Sequence, residues 1–233
     1  MTGHNEVRGV QLRLVQLGKF DQFGIDYCCA GKQTLTAACQ QGGIAFDTVV
    51  ARLVENDAEI KFDSQSENWL GASLTALSNH IEQTHHTYLK LELPRLQMLA
   101  DKVAKVHGLR QPNLLKLQTV VSAMSQEILE HTAKEETFLF PLLRKLEANI
   151  GTKSQWPEGL ENAVIGLDSE HQQAGAALME LRHLTNEYTA PESACASWRA
   201  LLAGLEKFDK DLRIHIHKEN SILFPLAIKE GRP

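Results

Sequence analysis

From Leu70 to the C-terminus, apolar residues return every three or four positions, and Leu, Ala, Glu, Gln and Lys dominate. That period gathers the apolar positions into one stripe of an α-helix. Four long periodic stretches follow one another, at about residues 73–106, 113–146, 158–186 and 193–228. The breaks between them, HGLRQP, NIGTKSQWP and YTAPES, each carry Pro, Gly or both. Helices of this length, roughly 40–54 Å at about 1.5 Å per residue, joined by short loops, predict an antiparallel up-and-down four-helix bundle. The first sixty residues read differently. Short periodic segments are broken by Gly24, Gly31 and Gly42-Gly43, which predicts a few short helices. One of them, TLTAACQQ, opens on Thr34 as N-cap and closes on the Gly pair. The polar, aperiodic KFDSQSENW (61–69) reads as a linker. The expectation is an all-α chain with a small helical domain over 1–62 and a bundle over 70–233.

Composition narrows the function classes. Hydrophobic residues make up 43% and charged residues 23% of the 233 positions, which suits a folded globular chain. The net charge of −5 comes without a basic block, so neither nucleic acid nor an anionic membrane is an expected partner. The N-terminus has no apolar signal core, and no apolar run approaches the roughly 20 residues of a membrane span. A cytoplasmic location is therefore expected. The four cysteines, Cys28, Cys29, Cys39 and Cys195, are too few for a disulfide scaffold and read as thiols.

The chemistry sits in a repeated pattern. HTAKEETFLFP (131–141) and HIHKENSILFP (215–225) share His at position 1, Glu at position 5 and Leu-Phe-Pro at positions 9 to 11. On a helix, i and i+4 share a face, so His131 with Glu135 and His215 with Glu219 form two pairs. Their phase matches Phe138, Leu139 and Leu142 in one case and Ile222, Leu223 and Leu226 in the other, so both pairs look inward. The remaining long helices each offer an inward histidine. His86 is in phase with Leu89 and Leu93, and His171 with Val164, Leu167 and Leu178. The steps 86→131, 131→171 and 171→215 are near-equal, as a chain returning to one level of an antiparallel bundle requires. A lone inward His is more often a hydrogen-bonded core residue, and a single HxxxE is common on solvated faces. Two inward pairs plus two inward histidines are another matter. Unpartnered buried carboxylates cost several kcal/mol each, and cations between them remove that cost. Four imidazoles and two carboxylates that can bridge make a ligand set for two transition-metal ions with open positions, which suits non-haem iron. A structural zinc site would use Cys and close its shell.

Other histidines are set aside by geometry. His217 points about 200° away from His215. His85 lies one residue off the phase of Leu89 and Leu93. His107 is roughly 31 Å along a straight helix from His86, within reach only if the chain folds back after Pro94. His80 and His183 read as surface or core residues, and His4 lies in a tail. Glu82 is a candidate acceptor for the outer N–H of His86. Pro141 and Pro225 are expected to kink their helices.

These residues resemble the hemerythrin-like bundle, and one branch of it more closely: the iron–sulfur cluster repair di-iron proteins (Repair of Iron Centres). The motifs that carry the resemblance are FGIDYCCAGKQTL (23–35), His86 before LELPRL, EILEHTAKEETFLFP, DSEHQQAG and RIHIHKENSILFP. The resemblance implies a cytoplasmic stress protein whose two iron ions are held by His86, His131, His171 and His215, bridged by Glu135 and Glu219, with room for an oxo bridge. It implies iron–sulfur proteins as clients, NO or O2 as small-molecule partners, and allows a homodimer. Restoring clusters damaged by nitric oxide or oxidants is the activity associated with the family, and nitric oxide reduction at the iron site has been proposed for it. Cys28 and Cys29, beside Lys32, read equally as reactive thiols or as a buried pair at a turn. The resemblance favours redox thiols. An O2- or NO-binding sensor or carrier without repair activity is the rival reading, and a plain helical bundle with core histidines is a third.

Overall fold

The computed structural model describes residues 20, 22, 23, 25, 34–54, 69–149 and 159–231. Two short helices stand complete among the described residues before position 60: α1 (Leu35–Gln41) and α2 (Phe46–Val54). The Thr34 side chain accepts from the Ala37 N–H at 3.2 Å, and Gly42 caps the other end of α1, as the sequence indicates. Gly43 follows at φ 63°, a left-handed turn that favours a residue without Cβ. The linker expected at 61–69 falls almost entirely outside the described residues.

Four long rods make the bundle. The first is α3 (Leu74–Ile81), the turn π1 (Glu82–His86) and α4 (Thr87–His107). The second is α5 (Asn113–Lys134), π2 (Glu135–Leu139) and α6 (Phe140–Ala148). The third is α7 (Leu160–Thr185) alone. The fourth is α8 (Ala196–Lys218), π3 (Glu219–Leu223) and α9 (Phe224–Gly231). Every rod end lies within three residues of its expected place. The chain does not fold back at Pro94; α4 runs through it. Neighbouring rods touch in the ring 1–2–3–4–1, as an up-and-down bundle requires.

The rod ends have local causes. Ser73 Oγ accepts from the Ala76 N–H, and the Glu147 carboxylate accepts from the N–H groups of Leu74 and Thr75, both at 3.0 Å, so the first turn of α3 is satisfied. Gly108 closes α4, where a Cβ would meet the Ala104 carbonyl at 2.5 Å. α7 ends on three successive left-handed residues, Asn186, Glu187 and Tyr188. They are held there because Tyr188 N–H donates to Thr185 Oγ1 and Tyr188 Oη donates to the buried Asp209. Asp209 also takes Arg182 and Arg213, each at 2.6 Å, which joins the third and fourth rods.

The interior is two apolar cores with a polar layer between them. The larger one holds Leu89, Leu93, Met124, Ile128, Leu178, Phe208 and Leu212, together with Phe20, Leu35, Cys39 and Val49 of the N-terminal segment. The smaller holds Leu77, Ile81, Leu139, Phe140, Leu143, Leu167, Leu223 and Phe224. On each rod the residues between the two sets are the histidines and glutamates of the sequence pattern. No helix among the described residues is long and apolar enough to cross a membrane.

Candidate metal centre

The three π turns lie at this polar layer. A π turn admits one more residue than an α turn, so it shifts the helical face after it. The α-phase reading placed Phe138 and Leu142 inward; Phe138 is 52% exposed instead, while Leu139, Phe140 and Leu143 are buried. The same shift in the fourth rod buries Leu223, Phe224 and Ala227, and leaves Ile222 and Leu226 only partly covered. Pro141 and Pro225 each fall in the first turn of the α-helix that restarts after the π turn, where a missing N–H costs little. The π turn, rather than a simple kink, is how the rod absorbs them.

All six predicted side chains meet. His86, His131, Glu135, His171, His215 and Glu219 are buried, with both carboxylates at 0% exposure. His86, Glu135, His215 and Glu219 place one potential ligand atom each within 4.8 Å of one another, and so do His131, Glu135, His171 and Glu219. The two carboxylates belong to both groups. Glu135 Oε2 lies 3.3 Å from His86 Nε2 and 3.4 Å from His131 Nε2. Glu219 lies 3.2 Å from His171 Nε2 through Oε2 and 2.9 Å from His215 Nε2 through Oε1. The imidazoles close on each other in pairs, His86 with His215 at 3.2 Å and His131 with His171 at 3.0 Å, always Nε2 to Nε2.

Partners on the outer ring nitrogens of three of the four histidines explain why their Nε2 atoms can point inward. His86 Nδ1 donates to Glu136 Oε1 at 2.9 Å, His131 Nδ1 to Glu170 Oε2 at 2.8 Å, and His171 Nδ1 to Asn220 Oδ1 at 3.0 Å. A proton held on Nδ1 leaves a lone pair on Nε2, the tautomer of a metal ligand. Lys90 and Lys134 anchor Glu136 and Glu170 in turn. Burial opposes the charge on both carboxyls, but the lysine and histidine bonds hold them below the usual carboxylate range. The phenylalanines of the Leu-Phe-Pro exits also serve: Phe140 stacks on His86 at 5.5 Å and Phe224 on His171 at 6.0 Å. Each repeat thus supplies a His, a Glu, an outer acceptor and a stacking ring, the last two acting on a histidine of the rod before it.

Charge balance inside the layer calls for a cation. Neither oxygen of Glu135 nor Oε2 of Glu219 accepts a hydrogen bond. Burial and then the neighbouring Glu219 charge push the Glu135 carboxyl up. Burial drives His215 down to about 3, whereas on His171 the Glu219 carboxylate overcomes burial and raises it to about 9. Inward ring nitrogens facing Glu135, neither of whose oxygens is bonded, and Glu219, with one oxygen unbonded, fit cations of intermediate softness, and shared carboxylates fit two of them. A cavity of about 140 Å³ reaches His131, His171 and His215 from between α5 and α7.

The remaining sequence candidates fall elsewhere. Glu82 pairs with Arg144 at 2.6 Å, so Glu136, the residue after Glu135, takes the place expected for it. His217 is buried as well, against the expectation, but its Nδ1 bonds Ser221 and it does not enter the cluster. The fourth rod is enclosed on every side from Leu212 to Asn220, apart from the half-buried Ile214, so two positions 200° apart are both covered. His85 is buried beside Asp211 and Lys218. His80 lies against Trp69 and Lys218, His183 is exposed, and His107 meets Cys195 at the far end of the bundle. Cys39 is buried. Cys28 and Cys29 lie outside the described residues.

Residues 77–227 match the family described as Hemerythrin HHE cation binding domain, and residues 15–57 match a domain of unknown function, DUF542. Proteins named iron-sulfur cluster repair protein YtfE, from Yersinia pseudotuberculosis serotype IB and from Yersinia pestis, are 35% identical over 210 residues, covering 90% of this chain and 90% of theirs. The chain belongs to the hemerythrin HHE family, in the group of the YtfE proteins. Its bundle is a metal-binding domain of that family, and the two His/Glu groups are its candidate ligands. Phe140 and Phe224 stand out in the sequence only as part of the shared Leu-Phe-Pro exits, and Glu136, Glu170 and Asn220 went unread. The signal for two of them was there: position 6 of the repeat, Glu136 and Asn220, is polar directly after each inward Glu.

Proposed function

We propose that this protein holds two non-haem irons in the bundle and repairs iron–sulfur clusters damaged by nitric oxide or oxidants, by supplying iron, by removing nitric oxide, or by both. The observation that carries the reading is the sharing of Glu135 and Glu219 between two four-residue groups. The name of the YtfE relatives, iron-sulfur cluster repair protein, supports the repair role. In this reading His86 and His215 hold one ion, His131 and His171 the other, and the two glutamates bridge. Iron held there supplies open positions for a small molecule and ions that can pass to a client.

The protein's own residues set that chemistry. Glu136, Glu170 and Asn220 accept the Nδ1 protons and keep three Nε2 lone pairs inward. Phe140 and Phe224 fix two ring planes. The apolar cores above and below exclude bulk water, which strengthens charge interactions in the layer. The cavity at His131, His171 and His215 has room for a diatomic gas, which favours nitric oxide as one substrate and keeps gas binding without repair as the rival. Cys28 and Cys29, in a small N-terminal domain over 1–62 that precedes the bundle domain over 70–233, are assigned as redox thiols, and iron–sulfur proteins as clients. Iron-loaded protein is incubated anaerobically with a hydratase whose [4Fe–4S] cluster has been damaged by peroxide or NO. Recovery of hydratase activity beyond that given by free ferrous iron is expected. Reversible gas binding with no recovery would replace repair by the sensor reading.

A further inference from the structure

The two groups are not backed alike. The bundle follows a rule in two halves: the residue after each inward Glu backs a histidine of the preceding rod, Glu136 for His86 and Asn220 for His171. The residue before His171, Glu170, backs His131. Its counterpart is the residue before His86, which is His85, and it should back His215. It does not. The His85 ring lies parallel to that of His215, 3° between planes and 5.4 Å between centres. Its Nδ1 faces Asp211 at 3.0 Å and its Nε2 faces Lys218 Nζ at 3.0 Å. His215 Nδ1 is left buried without a hydrogen-bond partner.

This matters for a ligand. His215 presents a lone pair at Nε2 only with its proton on Nδ1, where nothing accepts it. With the proton on Nε2 it donates to Glu219 at 2.9 Å and cannot ligate. Outer acceptors on metal-bound histidines typically change affinity by about 10- to 100-fold. The His131–His171 group has both of its acceptors and the His86–His215 group has one.

We propose that the position formed by His86 and His215 is the exchangeable one, from which an ion leaves first, while the position formed by His131 and His171 retains its ion. The proposal rests on the two-ion reading above. It makes His85, by withholding an acceptor, and Glu170, by supplying one, positioning residues for an ordered release of iron.

The test is a direct look at partial depletion. The full chain is loaded anaerobically with ferrous iron, stripped of one equivalent by a chelator, and crystallised for anomalous scattering at the iron edge. Loading well short of two ions per chain would defeat the two-ion reading itself. With two loaded, residual iron should favour the His131–His171 position by about 10-fold. Equal residual occupancy, or an excess at His86–His215, overturns the inference and leaves the two-ion reading standing. Glu170→Ala provides the second readout, since it removes an outer acceptor from the retained position alone. Residual iron should then divide nearly evenly, and an unchanged ratio also counts against the proposal.

Discussion

Glu135→Gln should cost the bundle both ions, whereas losing one histidine should cost one. The reason is connectivity. Glu135 belongs to both four-residue groups, and each histidine to one. The change keeps side-chain volume and removes one negative charge. The donors within a group lie within 4.8 Å of one another. At that outer separation and an effective dielectric of about 20, one charge is worth about 3.5 kcal/mol per unit charge on the ion. For ferrous iron, with two charges, that is about 7 kcal/mol, or about five orders of magnitude in affinity at each position. The fold should survive, because a fully buried carboxylate that accepts no hydrogen bond is replaced by a neutral amide. The assay is iron per chain after anaerobic reconstitution and desalting, with helical content by circular dichroism as the folding control. Near-zero iron is expected for Glu135→Gln and about one iron for His131→Ala. A folded Glu135→Gln protein retaining two irons would refute the shared-carboxylate geometry.

Three further outcomes follow from the packing. Asp209→Asn leaves Arg182 and Arg213 facing each other without their buried counter-charge, at a cost of about 3–5 kcal/mol. The melting midpoint should fall by roughly 6–20 °C, as read by calorimetry on metal-free protein. Phe140→Ala should cost about 3–5 kcal/mol in denaturant unfolding and speed iron loss to a chelator by freeing the His86 ring; Phe140→Leu should restore most stability but not the slow iron loss. Glu147→Gln tests the cap on α3. Burial raises that carboxyl, but the bonds from Thr75 and Leu74 hold it below the ordinary range. A carboxyl depressed by folding stabilises above its unfolded value and loses that contribution as pH falls through the folded one. The variant should therefore be about 1 kcal/mol less stable at pH 7, with the difference vanishing in acid, measured by urea unfolding across pH.

The bundle was legible because a 3.6-residue stripe sustained over four segments has few ways to be buried, and Gly or Pro marks each exit. The six inward side chains were legible for the same reason: i,i+4 spacing places a pair on one face whatever that face meets. Two other things were decided only in three dimensions. The π turns reset the phase after His86, Glu135 and Glu219, so strict α periodicity put Phe138 inward when Phe140 is the residue that stacks on His86. The outer partners come from other rods, 39 to 50 residues away in sequence, and no local pattern reports a contact across a bundle. That is why Glu82, one turn from His86 and on its face, looked like its partner, while Glu136 on the facing rod is the group that holds it. Local sequence determines which face a side chain takes; only packing determines what stands opposite.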